Sequence, residues 1–205
     1  MYISLLTAAG ESTRFPLNKL LFEHDGEPLI AKSVRSALGS RVSFVVVVVG
    51  YMRESIVKAV KENIGEDNRV VFVENPSYRE GMSSSIKRGV SFIVSNYRGF
   101  KGLLISPGDA AWIPSVVYDI LVDKHETYGW DIIVPAYSGR RGHPIFFSSN
   151  LAQELLSIDE KTKGLKRVVR DYWHEVREIN LPFPTILLDL DTILDLNRVK
   201  ELAWK

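Results

Sequence analysis

Small residues form a loop directly after the first apolar run of the chain, and basic residues follow this loop. The apolar run is Tyr2–Thr7, and the small loop residues are Ala8, Ala9, Gly10 and Ser12. Arg14 and Lys19 come next. Small side chains let backbone N–H groups approach a phosphate, whose charge the two basic side chains would neutralise. The pattern predicts a phosphate-binding loop, although a plain strand-to-helix turn fits the same spacing.

A run of serines follows a second apolar segment, Val70–Val73. An Asn-Pro turn and Gly81 lead into Ser83, Ser84 and Ser85, which begin a predicted helix. The N-terminus of a helix attracts anions and polar groups. Helix capping needs one serine, so three in succession favour a binding pocket over a cap.

A third segment places a carboxylate at the end of the apolar run Gly102–Ser106, which is followed by Pro107, Gly108 and Asp109. An aspartate at the carboxyl end of a strand, facing the phosphate loop, is suited to hold a hard divalent cation. The same residue would also serve as the N-cap of the next helix, and both uses are open at this point.

A glycine-flanked basic segment lies further along the chain and consists of Arg140, Arg141, Gly142, His143 and Pro144. The forked donors of arginine suit a phosphate or a polar heterocycle. Alternatively, Gly142, His143 and Pro144 only form a turn that leads into the next strand.

Two aspartates near the end of the sequence, Asp189 and Asp191, are spaced by two residues. This spacing puts both on one side of a strand. Two carboxylates without a cation beside them would repel each other, so the pair favours a metal ion.

The composition excludes several classes of protein. The 26 Lys and Arg residues balance 25 Asp and Glu residues, so the net charge of +1 argues against a nucleic-acid or membrane-surface protein. There is no cysteine, which excludes disulfides, thiolate metal sites and cysteine nucleophiles. No targeting signal is visible and the longest apolar stretch is far shorter than a membrane span, so we expect a cytoplasmic protein.

Short β-branched runs alternate with amphipathic segments along the first two thirds of the chain. The predicted strands are Tyr2–Thr7, Phe44–Val49, Val70–Val73, Gly102–Ser106 and Asp131–Pro135. The predicted helices are Pro28–Leu38, Arg53–Ile64, Ser83–Asn96 and Pro114–His125. This alternation is typical of an α/β fold, here a Rossmann-like three-layer sandwich with a mostly parallel sheet.

The regular alternation of strands and helices ends after Pro135, where we expect a small antiparallel excursion of the sheet. Strands are predicted at Pro144–Ser148, His174–Ile179 and Ile186–Leu190, and helices at Asn150–Ile158, Leu165–Tyr172 and Ile193–Ala203. No repeat or linker interrupts the pattern. We therefore expect one domain over residues 1–205, with a nucleotide-binding part at 1–110 and an acceptor-binding part at 111–205.

Taken together, the motifs resemble those of the MobA-like nucleotidyltransferases, and most closely those of the molybdenum cofactor cytidylyltransferases. The segments that carry this resemblance are Ala8-Ala9-Gly10-x-Ser12-x-Arg14 with Lys19, the Gly81-Met82-Ser83-Ser84-Ser85 run, Gly108-Asp109 and Arg141-Gly142-His143-Pro144. The resemblance implies a nucleotide-diphospho-sugar transferase-like fold. It also implies transfer of CMP from CTP to a phosphate-bearing acceptor such as molybdopterin, with release of pyrophosphate.

The resemblance also assigns roles to residues. Catalysis would fall to Arg14, Lys19 and Asp109. The nucleotide would contact Ala8, Ala9, Gly10, Ser12, Arg14, Lys19, Gly81, Ser83, Ser84, Ser85 and Pro107. The acceptor would contact Arg141, Gly142, His143 and Pro144, and Mg²⁺ would be held by Asp109 with Asp191 or, failing that, Asp189. A molybdoenzyme or a chaperone is the implied protein partner.

Some positions depart from the family pattern and leave alternatives open. The departures are Phe15-Pro16, Ala110-Ala111, Ile193-Leu194 and the segment 161–166. The same scaffold would also suit GTP or a sugar phosphate, and a protein that binds nucleotide without turnover is a further alternative. A dinucleotide-dependent oxidoreductase ranks last because its glycine triplet is absent.

Overall fold

The computed structural model describes residues 1–12, 18–161 and 164–188, which build a β-sheet covered by helices. The strands are Tyr2–Ala8 (β1), Glu23–His24 (β2), Glu27–Pro28 (β3), Phe44–Val49 (β4), Val70–Glu74 (β5), Gly102–Pro107 (β6), Ile132–Tyr137 (β7), Arg140–Arg141 (β8), Ile145–Ser148 (β9) and Val176–Asn180 (β10). The α-helices are Leu29–Leu38 (α1), Arg53–Ile64 (α2), Met82–Asn96 (α3), Ser115–Tyr128 (α4), Ala152–Leu156 (α5) and Leu165–Asp171 (α6).

The main sheet has the strand order β10-β7-β9-β6-β1-β4-β5, and β8 pairs with β7. Pairing is parallel between β1 and its neighbours β4 and β6, between β4 and β5, and between β7 and β10. Strand β9 is antiparallel to both β6 and β7. The predicted mostly parallel sheet with an antiparallel excursion is therefore confirmed.

The valine run of β4 explains why helices cover both faces of the sheet. Side chains alternate along a strand, so Val45, Val47 and Val49 face one core, whereas Val46 and Val48 face the other. The first core is closed by α1, α2 and α4, and the second by α3, α5 and α6. Because neither face is polar, the strand is stable only between two helical layers.

The carboxyl ends of the parallel strands bring distant segments together. In the sheet register, Thr7 lies opposite Pro107 and Val49 lies opposite Glu74. The loops that follow β1, β5 and β6 therefore leave the sheet along one edge, where open α/β sheets bind ligands.

One predicted strand is wrong. We expected a strand over Ile186–Leu190, but Pro184–Leu187 forms a 3-10 helix, and residues 189 and 190 lie outside the described part. Proline fixes a helical φ at the start of this turn. The Ile186 carbonyl then accepts a hydrogen bond from the His143 N–H at 3.0 Å, so the segment packs on the β8–β9 loop instead of joining the sheet. The predicted closing helix at 193–203 also lies outside the described residues.

Within the described residues, none of the helices combines the length and apolarity that a bilayer crossing requires.

Gly89 lets α3 approach the sheet closely. A Cβ atom at this position would lie 2.3 Å from Leu5 Cδ1 and 2.9 Å from Val48 Cγ2, and both neighbours are fully buried. We predict that Gly89→Ala lowers the free energy of unfolding by about 1–3 kcal/mol, because overpacking of the core outweighs the gain in helix propensity. Urea unfolding followed by circular dichroism measures this change.

The matched control is Ser91→Ala, which changes an exposed position of the same helix. It is expected to leave stability unchanged or to raise it slightly. A Gly89→Ala protein as stable as the parent would show that α3 can move away from the sheet without loss.

Candidate functional site

The loop after β6 holds Asp109 in a fixed position. The Gly108 N–H donates to the Thr7 carbonyl at 2.9 Å, and Ser33 Oγ donates to the Gly108 carbonyl at 2.8 Å. The Ala110 N–H closes the turn by donating to the Pro107 carbonyl at 3.3 Å. Asp109 itself is buried. Helix α4 begins only at Ser115, so Asp109 is not its N-cap.

Lys19 reaches Asp109 from the other side of the site. It begins a 3-10 helix, Lys19–Leu21, and its Nζ lies 2.6 Å from Asp109 Oδ2. A buried carboxylate is costly unless it is paired, and this ammonium group supplies the pairing charge. Two residues predicted for catalysis, 90 positions apart in the sequence, thus lie in direct contact.

Asn18 is a site residue that the sequence analysis did not identify. Its Oδ1 accepts a hydrogen bond from the Leu20 N–H at 3.0 Å and so caps the short helix that carries Lys19. Asn18 is buried, and its Nδ2 has no partner among the described residues. Asparagine is a common N-cap residue, and its position directly before Lys19 was a usable signal.

The small residues after β1 differ in their exposure. Ala8 and Ala9 are buried, and the Ala9 carbonyl accepts a hydrogen bond from the Tyr51 N–H at 3.1 Å. Gly10 is exposed, and no atom of the described residues lies within 4 Å of where a Cβ would be. Ser12 adopts a left-handed φ of 54°. The loop backbone is therefore accessible at Gly10, whereas the predicted residue Arg14 lies outside the described residues.

The three serines at the start of α3 have different environments. Asn75 Nδ2 donates to Ser84 Oγ at 2.9 Å and to Ser85 Oγ at 3.0 Å. These two hydroxyls hold the loop after β5 against the helix. Ser83 lines a cavity instead, and its buried Oγ has no partner among the described residues.

A cavity of about 1090 Å³ lies between the sheet edge and α6. Apolar side chains from the sheet, α3, α6 and β10 form part of its lining, and these are Ile86, Ile105, Val134, Ile145, Leu165, Val169 and Val176. Thr7, Ser106 and Pro107 line it at the ends of β1 and β6. The cavity therefore begins beside the loop that carries Asp109.

The predicted acceptor segment borders the same cavity. Arg141, Gly142 and His143 line it, and the Arg141 guanidinium donates to Glu178 Oε1 through Nε at 2.8 Å. A Cβ on Gly142 would lie 2.5 Å from the Ile186 carbonyl oxygen, so only glycine fits here. The peptide bond between His143 and Pro144 is cis. Arg140 is exposed and is not among the residues that line the cavity, so of the two arginines in the predicted basic segment only Arg141 reaches it.

His143 is neutral near pH 7. Burial lowers the pKa of its imidazole from the ordinary 6.5, and the negative charge of Asp109 only partly opposes this shift. Its Nδ1 is buried without a partner among the described residues. The side chain is therefore suited to exchange a hydrogen bond with a ligand rather than to supply a positive charge.

The predicted metal site is described only in part. Asp109 is placed as above, but Asp189 and Asp191 lie outside the described residues. In the described part of the chain, no group of three or more His, Cys, Asp or Glu side chains is positioned to hold a metal ion.

The family of the chain follows from a comparison with family models. The model of the MobA-like NTP transferase domain matches residues 4–176, which include most of β1, the Lys19–Asp109 pair and all residues that line the cavity except Arg177 and Glu178. The chain belongs to the MobA-like NTP transferase family. No curated protein matched the sequence of this NTP transferase.

Solved structures resemble this NTP transferase over almost their whole length. A nucleotidyl transferase from Methanothermobacter thermautotrophicus has a TM-score of 0.79 at 19% identity, covering 100% of this chain and 98% of its own. The 4-diphosphocytidyl-2C-methyl-D-erythritol synthase of Anaerococcus prevotii has a TM-score of 0.78 at 12% identity, and the match covers 100% of this chain and 96% of the synthase. The manganese complex of Rv0371c from Mycobacterium tuberculosis gives 0.75 at 21% identity, covering 98% of each chain. These TM-scores establish a shared fold, and at such low sequence identities they establish the fold alone.

We predict that His143 makes the stability of the protein depend on pH. Because its pKa is lowered by folding, the stability it contributes is complete above the ordinary pKa of 6.5 and is lost as the pH falls through the folded value. Thermal unfolding between pH 5 and 8 should therefore show a loss of stability on the acid side that His143→Gln reduces.

His174→Gln is the control, since His174 is an exposed histidine close to the same cavity. It should retain the pH dependence of the parent. An unchanged acid-side loss in His143→Gln would assign that loss to other groups.

Proposed function

We propose that this protein transfers a nucleoside monophosphate from a nucleoside triphosphate to a phosphate-bearing acceptor. The observation that carries the proposal is the contact between Lys19 and Asp109, which joins the loops that follow β1 and β6. Thr7 and Pro107, near the ends of these two strands, line the large cavity. CTP is the proposed donor, and molybdopterin is the proposed acceptor. Membership of the MobA-like NTP transferase family supports the reaction class.

The donor would lie along the loop after β1. The exposed backbone of Gly10 can approach the triphosphate, and Lys19 and Arg14 would neutralise its charge. When the triphosphate is bound, the ammonium of Lys19 would be shared between Asp109 and a phosphate oxygen. Serine and backbone groups near Gly81 and Ser83 would contact the nucleoside.

The reaction itself requires no proton transfer to begin. An oxygen of the acceptor phosphate, already ionised near pH 7, attacks the α-phosphorus of the donor. A new P–O bond forms as the bond between the α-phosphorus and the bridging oxygen breaks, and pyrophosphate leaves with the electron pair. The protein contributes alignment of the two phosphates and neutralisation of the developing charge. His143, which is neutral, would orient the acceptor and is not needed as a base.

The chemistry of the site fits a hard divalent cation, with Mg²⁺ proposed. Mg²⁺ binds through one or two carboxylates together with substrate phosphates and water, and Asp109 supplies a buried carboxylate at the phosphate end of the site. We propose Asp191, or Asp189, as the second protein ligand. The cation would neutralise phosphate charge and hold the triphosphate in a reactive conformation. The manganese complex of Rv0371c supports a divalent metal in this fold.

The acceptor would occupy the cavity beyond His143. Its volume of about 1090 Å³ is large for a single phosphate group, so the acceptor has a sizeable body. Arg141 and His143 lie on its wall near the carboxyl ends of β6 and β7. This position directs the acceptor phosphate towards Asp109.

We predict that Asp109→Asn and Lys19→Met each lower the rate of pyrophosphate release at least about 100-fold. Each change removes charge neutralisation from the transition state, and losses of this order are typical for such groups. The assay follows pyrophosphate with CTP, Mg²⁺ and molybdopterin present.

Asp123→Asn is the matched control, because Asp123 is an exposed aspartate on α4 that pairs with Arg41. It should keep the parental rate. If Asp109→Asn retains full activity while folded, Asp109 has no part in the reaction.

We predict that CTP with Mg²⁺ raises the melting temperature more than ATP, GTP or UTP does. Ligands that bind only the folded state stabilise it according to their concentration relative to Kd, so the panel ranks the four affinities. A larger shift with GTP would reject the cytidylyl assignment but leave nucleotidyl transfer intact. Binding of a nucleotide without acceptor-dependent release of pyrophosphate would instead indicate a nucleotide-binding protein.

A further inference from the structure

Glu160 inserts its carboxylate at the N-terminus of α3. The Ser83 N–H donates to Glu160 Oε1 at 2.6 Å, and the two residues are 77 positions apart in the sequence. The side chain also packs on the backbone of Gly81, where a Cβ would lie 2.4 Å from Glu160 Cγ. Glu160 is nevertheless an exposed residue that lines the large cavity. An acidic side chain thus covers a position that attracts anions.

The N-terminus of α3 has a further feature of a ligand site. The helix has 15 residues, and its first N–H groups have no partners within the helix. Ser83 is buried, and its Oγ has no hydrogen-bond partner among the described residues. Gly164 lies directly over this hydroxyl, since a Cβ there would be 2.8 Å from Ser83 Oγ. Burial of an unpaired hydroxyl is unfavourable, which indicates that a ligand completes it.

The charge of the cavity favours an anionic ligand. Four Lys and Arg side chains line it against two carboxylates, and these residues are Arg141, Lys166, Arg170, Arg177, Glu160 and Glu178. Arg141 is paired with Glu178 and Arg170 with Asp171. Among the described residues, no carboxylate is paired with Lys166. The cavity therefore has positive charge available close to the helix N-terminus.

We propose that Ser83 and the N-terminus of α3 form a phosphate subsite of the cavity, and that Glu160 occupies this subsite until the ligand phosphate displaces it. The inference rests on the proposed function and refines it: Ser83, assigned above to the nucleoside, would instead bind a phosphate carried by the acceptor. Glu160 would then compete with the ligand phosphate for the Ser83 N–H. A dianionic phosphate accepts hydrogen bonds from both the N–H and the Oγ of Ser83, whereas Glu160 engages the N–H alone. Ligands that lack an anionic group gain no such advantage over Glu160.

Inorganic phosphate is the probe, and its binding is followed by NMR through the amide signals of Ser83 and Gly164. Reading these local signals separates this subsite from phosphate bound at the glycine loop. Glu160→Gln keeps an acceptor oxygen for the Ser83 N–H but removes the competing charge. We expect it to tighten phosphate binding at least about fivefold at low salt, which is the effect in water of removing one like charge about 4 Å from each unit charge of the phosphate. The gain should shrink as salt is added.

Two further variants make the test specific. Glu80→Gln removes an equal charge from an exposed residue next to Gly81 that does not line the cavity, and it should change the affinity less than twofold. Adding Ser83→Ala to Glu160→Gln should abolish the gain. Circular dichroism and thermal melting establish that each variant is folded.

Each outcome bears on the proposal. Equal or weaker phosphate binding by Glu160→Gln would overturn it, and so would a gain that survives Ser83→Ala or that Glu80→Gln reproduces. The titration needs neither nucleotide nor turnover. A positive titration together with absent pyrophosphate release would therefore reject the proposed function and leave the phosphate subsite standing. The reverse result would reject the subsite alone.

Discussion

The buried carboxylate of Asp109 must be paired with a positive charge, and much of the site depends on this requirement. Its partner, Lys19, is carried by a short helix that Asn18 caps, and the turn holding Asp109 is fastened to β1 and α1. The parallel register of β1 and β6 brings the two loops to one edge. Loss of the Lys19 charge would leave the buried carboxylate of Asp109 without this compensating ammonium group, which is unfavourable. The same contact thus stabilises the fold and assembles the candidate phosphate-handling site.

Two groups that are suited to bind a ligand are already engaged with the protein itself. Lys19 pairs with Asp109, and the Ser83 N–H pairs with Glu160. Binding of an anionic ligand would therefore be an exchange of partners and not the filling of empty positions. Such an exchange keeps these two groups, the Lys19 ammonium and the Ser83 N–H, satisfied in the free protein. The affinity for the ligand then depends on the difference between the contacts that the ligand makes and the protein contacts that it displaces.

The sequence predicted the parts of the molecule that local patterns determine. The valine run of β4 identifies a strand buried on both faces, and the small residues after β1 with Lys19 identify the position of the phosphate loop. Glu160 carries no such signal, because its contact with Ser83 joins residues far apart in the sequence. The sequence analysis likewise missed the 3-10 helix at Pro184–Leu187. An apolar run by itself predicts a strand, and the contact between Ile186 and His143 cannot be read from the sequence.

Strand β9 runs antiparallel between β6 and β7 and thereby holds these two strands apart. Neighbouring strands lie about 4.8 Å apart, so β6 and β7 are separated by about 10 Å where both pair with β9, at Leu103 and Leu104 of β6 and at Ile132 and Ile133 of β7. Backbone hydrogen bonds fix this gap regardless of which side chains α6 and β10 present. Side chains of the cavity wall can therefore change without altering the spacing of β6 and β7. A spacer strand of this kind separates the position of the two strands, which backbone pairing sets, from the chemistry of the surface that their neighbours present.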